Sequence, residues 1–408
     1  MKNLTVGVIG GGAAGMMAAI TAARQGARVT ILERNGRVGK KLLMTGNGKC
    51  NLGNLDLSAE QYYGAEKEWI EERLKEFDVD DMIHFFQGIG LLIKDKSGYL
   101  YPASEQASTV LDVLRFELKS LGIVVTTDCR IDRIERLAEG RIKVYGGRKE
   151  YFFDRVVIAC GGMAAPKTGS DGSGFVLTKQ LGHSLVPTVP ALVQLRCKED
   201  YFRSVSGVRA EAKVAVFRGE ECVAAEYGEL QLTERGISGI PVFQLSRQVA
   251  YLLKEQKQVS VHIQLLPDYK AEDLEILLIN RLILMGDRTV EEFFTGLLHK
   301  KLMQLFIKLA GLKGSQPVEQ TDKKTLSKVL ELCWDWEVTV TGVNSYDNAQ
   351  VSAGGVPHTE VTESLESKKA PGVYFAGEIL DVDGRCGGYN LQWAWSSGYL
   401  AGMAAAKR

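Results

Sequence analysis

Six residues near the start of the chain have the spacing of a dinucleotide-binding turn. Gly10, Gly12 and Gly15 fit the pattern G-x-G-x-x-G, with Ala13 and Ala14 between the last two glycines. In such a pattern the first glycine allows a tight turn, the second lets a pyrophosphate approach the backbone, and the third lets helix and strand pack closely. The following helix would offer free N–H groups and the positive end of its dipole to the phosphates. The pattern therefore predicts binding of a dinucleotide pyrophosphate.

Glu33 follows Gly15 at the end of the second apolar run, about 20 residues downstream as such motifs require. An acidic side chain there can accept hydrogen bonds from ribose hydroxyls, and it disfavours a 2′-phosphate. Arg34 comes next and is included among the candidate cofactor residues. The alternative is a chance glycine turn with a solvated acid. These residues alone do not separate NAD from FAD.

Further segments rich in glycine and asparagine are spread along the chain. Their candidate cofactor residues are Gly46, Asn47, Gly48, Cys50, Asn51, Gly161, Gly162, Gly377, Glu378, Gly388, Tyr389, Asn390, Leu391 and Gln392. Together these segments resemble the aminoacetone-oxidase-like, BaiN-like family of FAD-dependent flavoproteins, an NAD(P)/FAD-dependent oxidoreductase family. The resemblance covers nearly the whole chain and is most specific over residues 377–395.

The resemblance implies an α/β fold with a glutathione-reductase-like Rossmann domain for FAD. It places Gly377 and Glu378 along the ribityl and pyrophosphate region, although Glu378 could instead cap a turn. The loop 45–51 is expected to wrap the pyrophosphate and reach the flavin. Lys41 and Lys49 would add charge there, and a solvated loop lysine is the alternative for either.

A helix beginning near Tyr389 would direct its N–H groups towards the flavin pyrimidine edge, where reduction places negative charge. The run 128–134 is predicted to be a strand in the place where related folds contact adenine with their backbone. Ile131 is therefore a candidate adenine contact, with ordinary core packing as its alternative. Tyr389, Trp393 and Trp395 could border the substrate, but aromatic spacing on a helix more often means core.

Other catalytic patterns are missing from the sequence. After Cys50 the next cysteine is Cys129, so the paired cysteines of a flavin disulfide reductase are not present, and Cys50 is expected to be a packed thiol. The histidines and cysteines show no metal-ligand spacing, and no metal is predicted. Glu234 lies where many members of the family have histidine, which leaves a catalytic role for that position in doubt. No catalytic residue is assigned.

The composition predicts a folded, cytoplasmic protein. Hydrophobic residues make up 45% and charged residues 25%, and the 50 Lys and Arg balance the 50 Asp and Glu. This balance argues against a nucleic-acid or membrane partner, since it leaves no global field for an anionic polymer or surface. The apolar run 391–406 is interrupted by polar residues and is expected to be a buried helix.

The order of patterns predicts a discontinuous FAD-binding domain over 1–187 and 340–408. Short alternating runs predict a β-rich insert domain over 188–267, and helical spacing predicts a small helical subdomain over 268–339. One helical stretch is expected over 66–89. The oligomeric state is not determined by these patterns.

We expect an FAD-dependent oxidoreductase that passes hydride between a small organic substrate and flavin N5, at a pocket between the FAD domain and the inserts. The resemblance implies either NAD(P)H-linked reduction of an activated enone such as a steroid, which we favour, or oxidation of a small amine with formation of hydrogen peroxide. NAD(P)H would bind transiently, because the chain has one dinucleotide motif. The alternatives from other classes are an FAD-dependent RNA-modifying protein and a non-catalytic flavin-binding scaffold.

Overall fold

The computed structural model describes residues 4–407. They divide into two compact units, one formed by residues 4–190 with 346–407 and the other by residues 191–345. The chain thus leaves its first unit and returns to it. The strand Trp336–Val343 belongs to the second unit, which ends at residue 345.

A five-stranded parallel sheet forms the centre of the first unit. Its strands, in spatial order, are Val373–Phe375, Arg155–Ile158, Thr5–Ile9, Arg28–Leu32 and Val124–Thr126. These strands are rich in Val and Ile because both faces of the sheet are covered. The strand Thr5–Ile9 lies in the middle, with the next strand in the chain, Arg28–Leu32, on one side and the much later Arg155–Ile158 on the other. Such a change of direction in the strand order opens a binding crevice at the carboxyl ends of the strands.

Two layers cover this sheet. Val6 and Val8 pack towards the helices, while Ile9 and Phe375 pack towards an antiparallel three-stranded sheet. The helices of the first unit are Ala13–Arg24, Lys67–Lys75, Val79–Gly88, Ala107–Ser120, Ser173–Gln180 and Tyr389–Ala406. The covering sheet consists of Arg133–Arg136, Ile142–Gly146 and Lys149–Phe153. The predicted α/β Rossmann architecture is confirmed.

Smaller strand pairs complete this part of the chain. A three-stranded sheet contains Gly53–Asn54, Tyr99–Pro102 and Ile93–Lys96, and two-stranded pairs join Asp383–Gly384 to Tyr62–Tyr63 and Val189–Ala191 to Val351–Ala353. Short 3₁₀ helices span Leu42–Gly48, Ala59–Gln61, Pro166–Thr168, His358–Glu360 and Gly377–Ile379.

Two local predictions are wrong. The run 128–134 is not a strand: Asp128 has φ +52°, and the strand begins only at Arg133. The single helix expected over 66–89 is two helices, because Asp78 starts the second one by accepting hydrogen bonds from the backbone N–H groups of Asp80 and Asp81.

The second unit is a closed antiparallel barrel with helices. The barrel strands, in spatial order, are Leu195–Cys197, Gly236–Gly239, Glu221–Thr233, Arg209–Arg218, Val259–Gln264 and Trp336–Val343. Its helices are Phe202–Val205, Ile240–Lys254, Ala271–Met285, Val290–Phe294, Lys300–Leu309 and Lys323–Trp334, with a 3₁₀ turn at Val318–Gln320. One core contains barrel residues such as Val261 and helix residues such as Phe306. Because the barrel and the helices share this core, they form one unit. The last barrel strand, Trp336–Val343, also follows the helices in the chain.

Candidate cofactor site

The three motif glycines each have a distinct steric environment. Gly10 has φ +102°, and a Cβ there would lie 2.5 Å from the carbonyl oxygen of Ala159. A Cβ at Gly15 would overlap the carbonyl oxygen of Gly10, whereas a Cβ at Gly12 would meet no atom within 4 Å. The turn and the helix–strand contact therefore exclude side chains at positions 10 and 15, and position 12 faces open space. This matches the three roles that the motif predicts.

The helix Ala13–Arg24 begins directly at this open space. Its N-cap residue is Gly12, and no side chain caps it. The first N–H groups of a helix have no acceptor within the helix, and they carry the positive end of its dipole. Gly12, Ala13 and Ala14 all line one cavity of the first unit. The chain thus leaves an anion-binding position free where the motif predicts a pyrophosphate.

Glu33 lines the same cavity and is 6% exposed. One carboxylate oxygen accepts from the N–H of Gly11 at 2.7 Å. The other accepts from the backbone and side-chain amides of Asn35, at 2.8 and 2.7 Å. Glu33 therefore joins the glycine turn to the loop after the second strand, a role that the sequence did not reveal. The oxygen that accepts from Gly11 makes one hydrogen bond and has a second lone pair, so the carboxylate retains capacity for a ribose hydroxyl.

An ion pair between Arg34 and Asp171 borders the cavity near Glu33. Burial opposes the charged form of Asp171, but hydrogen bonds from Arg34 and Ser173 outweigh it and lower the pKa of Asp171. Ser170 lines the cavity, and its buried hydroxyl has no hydrogen-bond partner among residues 4–407. An unsatisfied buried hydroxyl facing a cavity fits a site that receives a polar ligand. Ile131 is buried and also lines this region.

Glu378 is held by two other segments of the chain. Lys41 Nζ lies 2.6 Å from one oxygen, and the other accepts from Ser352 N at 2.7 Å and Ser352 Oγ at 3.1 Å. Lys41 and Glu378 both line the cavity. Lys41 is thus held in an ion pair, and Glu378 accepts from the backbone of another segment at Ser352. The ion pair fixes the loop before residue 42 against the segment after the strand Val373–Phe375.

A second helix N-terminus reaches the cavity at Tyr389–Ala406, where the sequence predicts it. The N-cap, Gly388, has φ +95°, and a Cβ there would meet the carbonyl oxygen of Gly53 at 2.6 Å. The Asn390 side chain accepts from Gly384 N at 2.9 Å and donates to Gly384 O at 2.7 Å, which fixes the first turn. Asn390 and Leu391 line the cavity.

Residues 45–51 turn sharply beside this helix. Thr45 lines the cavity, and Gly46 and Asn47 are left-handed, with φ +54° and +53°. Cys50 is fully buried. Burial raises the pKa of its thiol to about 12, against a smaller lowering by a hydrogen bond with Thr45. Cys50 is therefore not a thiolate at neutral pH.

Thirteen of the candidate residues line the cavity, and the other ten do not. Those that line it are Gly10, Gly12, Ala13, Ala14, Glu33, Arg34, Lys41, Ile131, Gly161, Gly377, Glu378, Asn390 and Leu391. Those that do not are Gly15, Gly46, Asn47, Gly48, Cys50, Asn51, Gly162, Gly388, Tyr389 and Gln392. Gln392, for example, is fully buried and donates to Asp78 O at 3.1 Å.

Other lining residues were not among the candidates. Asn35, Gln350 and Val351 follow no motif, whereas Ser170 lies in a glycine-rich segment that could have identified it. Trp393, considered above for the substrate and not for the cofactor, lies within residues 377–395, where the family resemblance is most specific. The cavity contains about 1250 Å³ of empty space when the solvent at its open mouth is included. Two helix N-termini, an unpaired hydroxyl and the open space at Gly12 fit a long, phosphate-bearing cofactor such as FAD.

Among residues 4–407, no group of three His, Cys, Asp or Glu side chains is arranged to hold a metal ion. No helix of that range is both long and apolar enough to cross a membrane. The seven cysteines form no disulfides.

Comparison with known proteins places this site in a family. The model of the HI0933-like protein Rossmann domain matches residues 4–404. A 3-dehydro-bile acid delta(4,6)-reductase of Clostridium scindens is 43% identical over 406 residues, which cover 99% of each chain. A ribosomal RNA dihydrouridine synthase of Haemophilus influenzae is 28% identical over 409 residues, which cover 98% of each.

Two solved structures share the fold. A 3-ketosteroid delta1-dehydrogenase from Sterolibacterium denitrificans superposes with a TM-score of 0.54 at 11% identity, covering 100% of each chain. A 3-ketosteroid-delta4-(5alpha)-dehydrogenase from Rhodococcus jostii gives 0.50 at 17% identity, covering 100% of this chain and 98% of the other. At these identities the likeness concerns the fold alone.

Proposed function

Since this chain belongs to the HI0933-like Rossmann-domain family and is an FAD-dependent oxidoreductase, we propose that it reduces a carbon–carbon double bond conjugated to a ring carbonyl. The substrate is a steroid or bile-acid-like enone, and NAD(P)H is the electron source. The observation that carries this proposal is the 43% identity with the bile acid reductase, which extends over 99% of both chains.

The names of the two kinds of relative imply the same type of reaction. Delta(4,6)-reduction of a 3-oxo ring saturates double bonds conjugated to a carbonyl. Dihydrouridine is uridine whose C5–C6 double bond, conjugated to the C4 carbonyl, has been saturated. Both names therefore describe addition of two electrons and two protons to an activated alkene. Overall, NAD(P)H and one proton would be consumed for each double bond.

The chain's own residues bind and orient the cofactor. FAD, when bound, supplies two-electron transfer between the nicotinamide donor and the enone. The N-terminus of Ala13–Arg24 holds phosphate, Glu33 accepts from ribose, and the Lys41–Glu378 pair fixes the loop beside the cavity. The N-terminus of Tyr389–Ala406 places a positive dipole end at the cavity, where negative charge is stabilised.

Anaerobic reduction of the holoenzyme tests the proposal. We expect NADH or NADPH to bleach the long-wavelength flavin absorbance, and a 3-oxo-Δ4,6 bile acid to restore it with formation of the saturated product. Because the chain has one dinucleotide motif, the donor and the enone are expected to alternate at the cavity and give ping-pong kinetics. Bleaching only by a small amine, with peroxide formed on readmitting air, would refute the assignment in favour of an amine oxidase.

A second candidate is reduction of uridine in ribosomal RNA, because two relatives with that name are each 28% identical over about the whole chain. The balanced charge of the chain argues against an RNA partner. Reoxidation of the reduced enzyme by an rRNA fragment, with dihydrouridine detected by mass spectrometry and no reaction with the bile acid, would establish this alternative. The cytoplasmic location stays a prediction, for which fractionation is the check.

A further inference from the structure

One face of a small hairpin beside the cavity combines lysines with tyrosines. The strands Ile93–Lys96 and Tyr99–Pro102 pair in antiparallel register, with Lys94 opposite Tyr101 and Lys96 opposite Tyr99. Opposite residues of a pair point to the same side, and every second residue shares that side. We call Lys94, Lys96, Tyr99 and Tyr101, with Lys49 of the neighbouring loop, the lysine–tyrosine face.

The positive charge of this face is only partly neutralised. Three ammonium groups surround the Glu105 carboxylate, with Lys96 at 2.5 Å, Lys49 at 3.4 Å and Lys94 at 3.8 Å. The hydrogen bonds and charges of Lys96 and Lys49 hold the pKa of Glu105 below its ordinary value. One carboxylate among three ammonium groups leaves an excess of two positive charges at close range, which a second anion would stabilise.

Apolar surface lies next to this charge. Tyr99 is 43% exposed, and Leu92, which precedes the first strand, is 71% exposed. Lys96 also lies 5.7 Å from the centre of the Tyr101 ring. A surface with aromatic and aliphatic groups beside a few cations suits a ligand that has an apolar body and one anionic end.

Two contacts place this face beside the cavity. A Cβ at Gly46 would lie 3.8 Å from the Tyr101 ring, and Gly46 follows Thr45, which lines the cavity. A Cβ at Gly387 would lie 3.2 Å from the Tyr99 ring, and Gly387 precedes the helix whose first turn lines the cavity. The face therefore lies beside Thr45 and the first turn of the C-terminal helix, which line the cavity.

We propose that the lysine–tyrosine face binds the anionic end of an amphipathic acceptor, such as the side-chain carboxylate of a bile-acid-like enone. The inference rests on the proposed function. Three lysines match one or two anionic groups of a small molecule, whereas a nucleic-acid strand requires an extended basic track. The exposed Leu92 and Tyr99 favour a ligand with an apolar body.

The test compares a 3-oxo-Δ4,6 bile acid that has a free carboxylate with its uncharged methyl ester, using the holoenzyme. In the double variant Lys94→Gln, Lys96→Gln we expect KM for the acid to rise about fivefold with kcat unchanged, and KM for the ester to stay within about twofold of wild type. The matched control is Lys324→Gln, Lys328→Gln, which removes the same charge from exposed lysines of the helix Lys323–Trp334. Glu105→Gln should act in the opposite direction and lower KM for the acid.

Binding of a saturated bile acid carboxylate, measured by calorimetry, separates this inference from the proposed function. If the wild type binds that probe, and the double variant binds it about fivefold more weakly, the face is supported even if no enone is reduced. Equal rises in KM for acid and ester would overturn the inference, as would a rise confined to KM for NADPH. Loss of binding to an rRNA fragment with unchanged binding of the bile acid would overturn it in favour of RNA.

Discussion

Substitution of Gly12 by alanine is expected to weaken FAD binding without changing the stability of the apoprotein. Gly12 has φ −80° and ψ −169°, a conformation that alanine adopts without strain, and its added Cβ would meet no atom within 4 Å. The free energy of unfolding of the apoprotein should therefore change by no more than about 0.5 kcal/mol. The methyl group would instead occupy the space at the helix N-terminus where the pyrophosphate is expected.

The expected loss of affinity follows from the contacts that a displaced phosphate would forfeit. A hydrogen bond from a backbone N–H to a charged group contributes about 1.5–3 kcal/mol. Loss of one such bond corresponds to a rise in Kd for FAD of roughly 10- to 100-fold. Flavin fluorescence quenching on titration of the apoprotein measures Kd, and urea unfolding of the apoprotein measures stability.

Gly15→Ala is the matched control, because its Cβ would overlap the carbonyl oxygen of Gly10. It should destabilise the apoprotein by about 1–3 kcal/mol through overpacking. The reasoning is refuted if Gly12→Ala binds FAD as tightly as wild type, or if it destabilises the apoprotein as much as Gly15→Ala does. Either result would show that position 12 does not face the cofactor.

Three further predictions concern charged groups. Glu33→Ala should weaken FAD binding about tenfold or more and also lower the melting temperature of the apoprotein, since three N–H donors lose their acceptor; unchanged FAD affinity would mean that Glu33 serves the loop alone. Lys41→Met and Glu378→Gln should show a coupling energy for FAD binding of up to about 1 kcal/mol in a double-mutant cycle, because the pair is partly exposed; additive effects would contradict the pairing. Burial raises the pKa of Glu360, but hydrogen bonds from Lys369, Ser184 and His183 outweigh it and lower the pKa to about 2 from 4.5. The unfolded chain therefore binds the proton first, and stability should fall as the pH drops from about 4.5 towards 2; urea unfolding of Glu360→Gln across that range should lack this slope.

Much of the site could be predicted from the sequence because it is built from backbone. Gly10, Gly12 and Gly15 could be identified from their spacing. Glycine meets the requirement at each position, which is a positive φ at Gly10, open space for a ligand at Gly12 and a close packing contact at Gly15. The helix starting at Tyr389 was also predicted, from the glycines before it and the C-terminal signature. The lining residues Asn35, Gln350 and Val351 were not, because they reach the cavity only through the way distant segments pack.

The sequence also did not predict which polar side chains pair with each other. The sequence predicts that Glu33 contacts ribose, but its carboxylate oxygens also accept from Gly11 and Asn35. For Lys41 the sequence allows either a cofactor contact or a solvated charge, and the structure pairs it with Glu378. Lys41 and Glu378 are separated by 337 positions in the chain, so no local pattern could pair them. The barrel is a similar case, since its closing strand Trp336–Val343 comes after the helices and pairs with strands far back in the chain.

The sequence by itself determined a dinucleotide-binding Rossmann domain, because glycine spacing, strand periodicity and the acid at the end of the second strand are local properties of the chain. The choice of FAD as its dinucleotide came from the resemblance of the further glycine-rich segments to a flavoprotein family. Only the tertiary structure decided which polar groups meet. It paired Lys41 with Glu378, gathered three lysines around Glu105, and united the barrel and the helices in one core. Those outcomes depend on side-chain contacts between segments that are far apart in the chain, and such contacts exist only once the hydrophobic cores have packed.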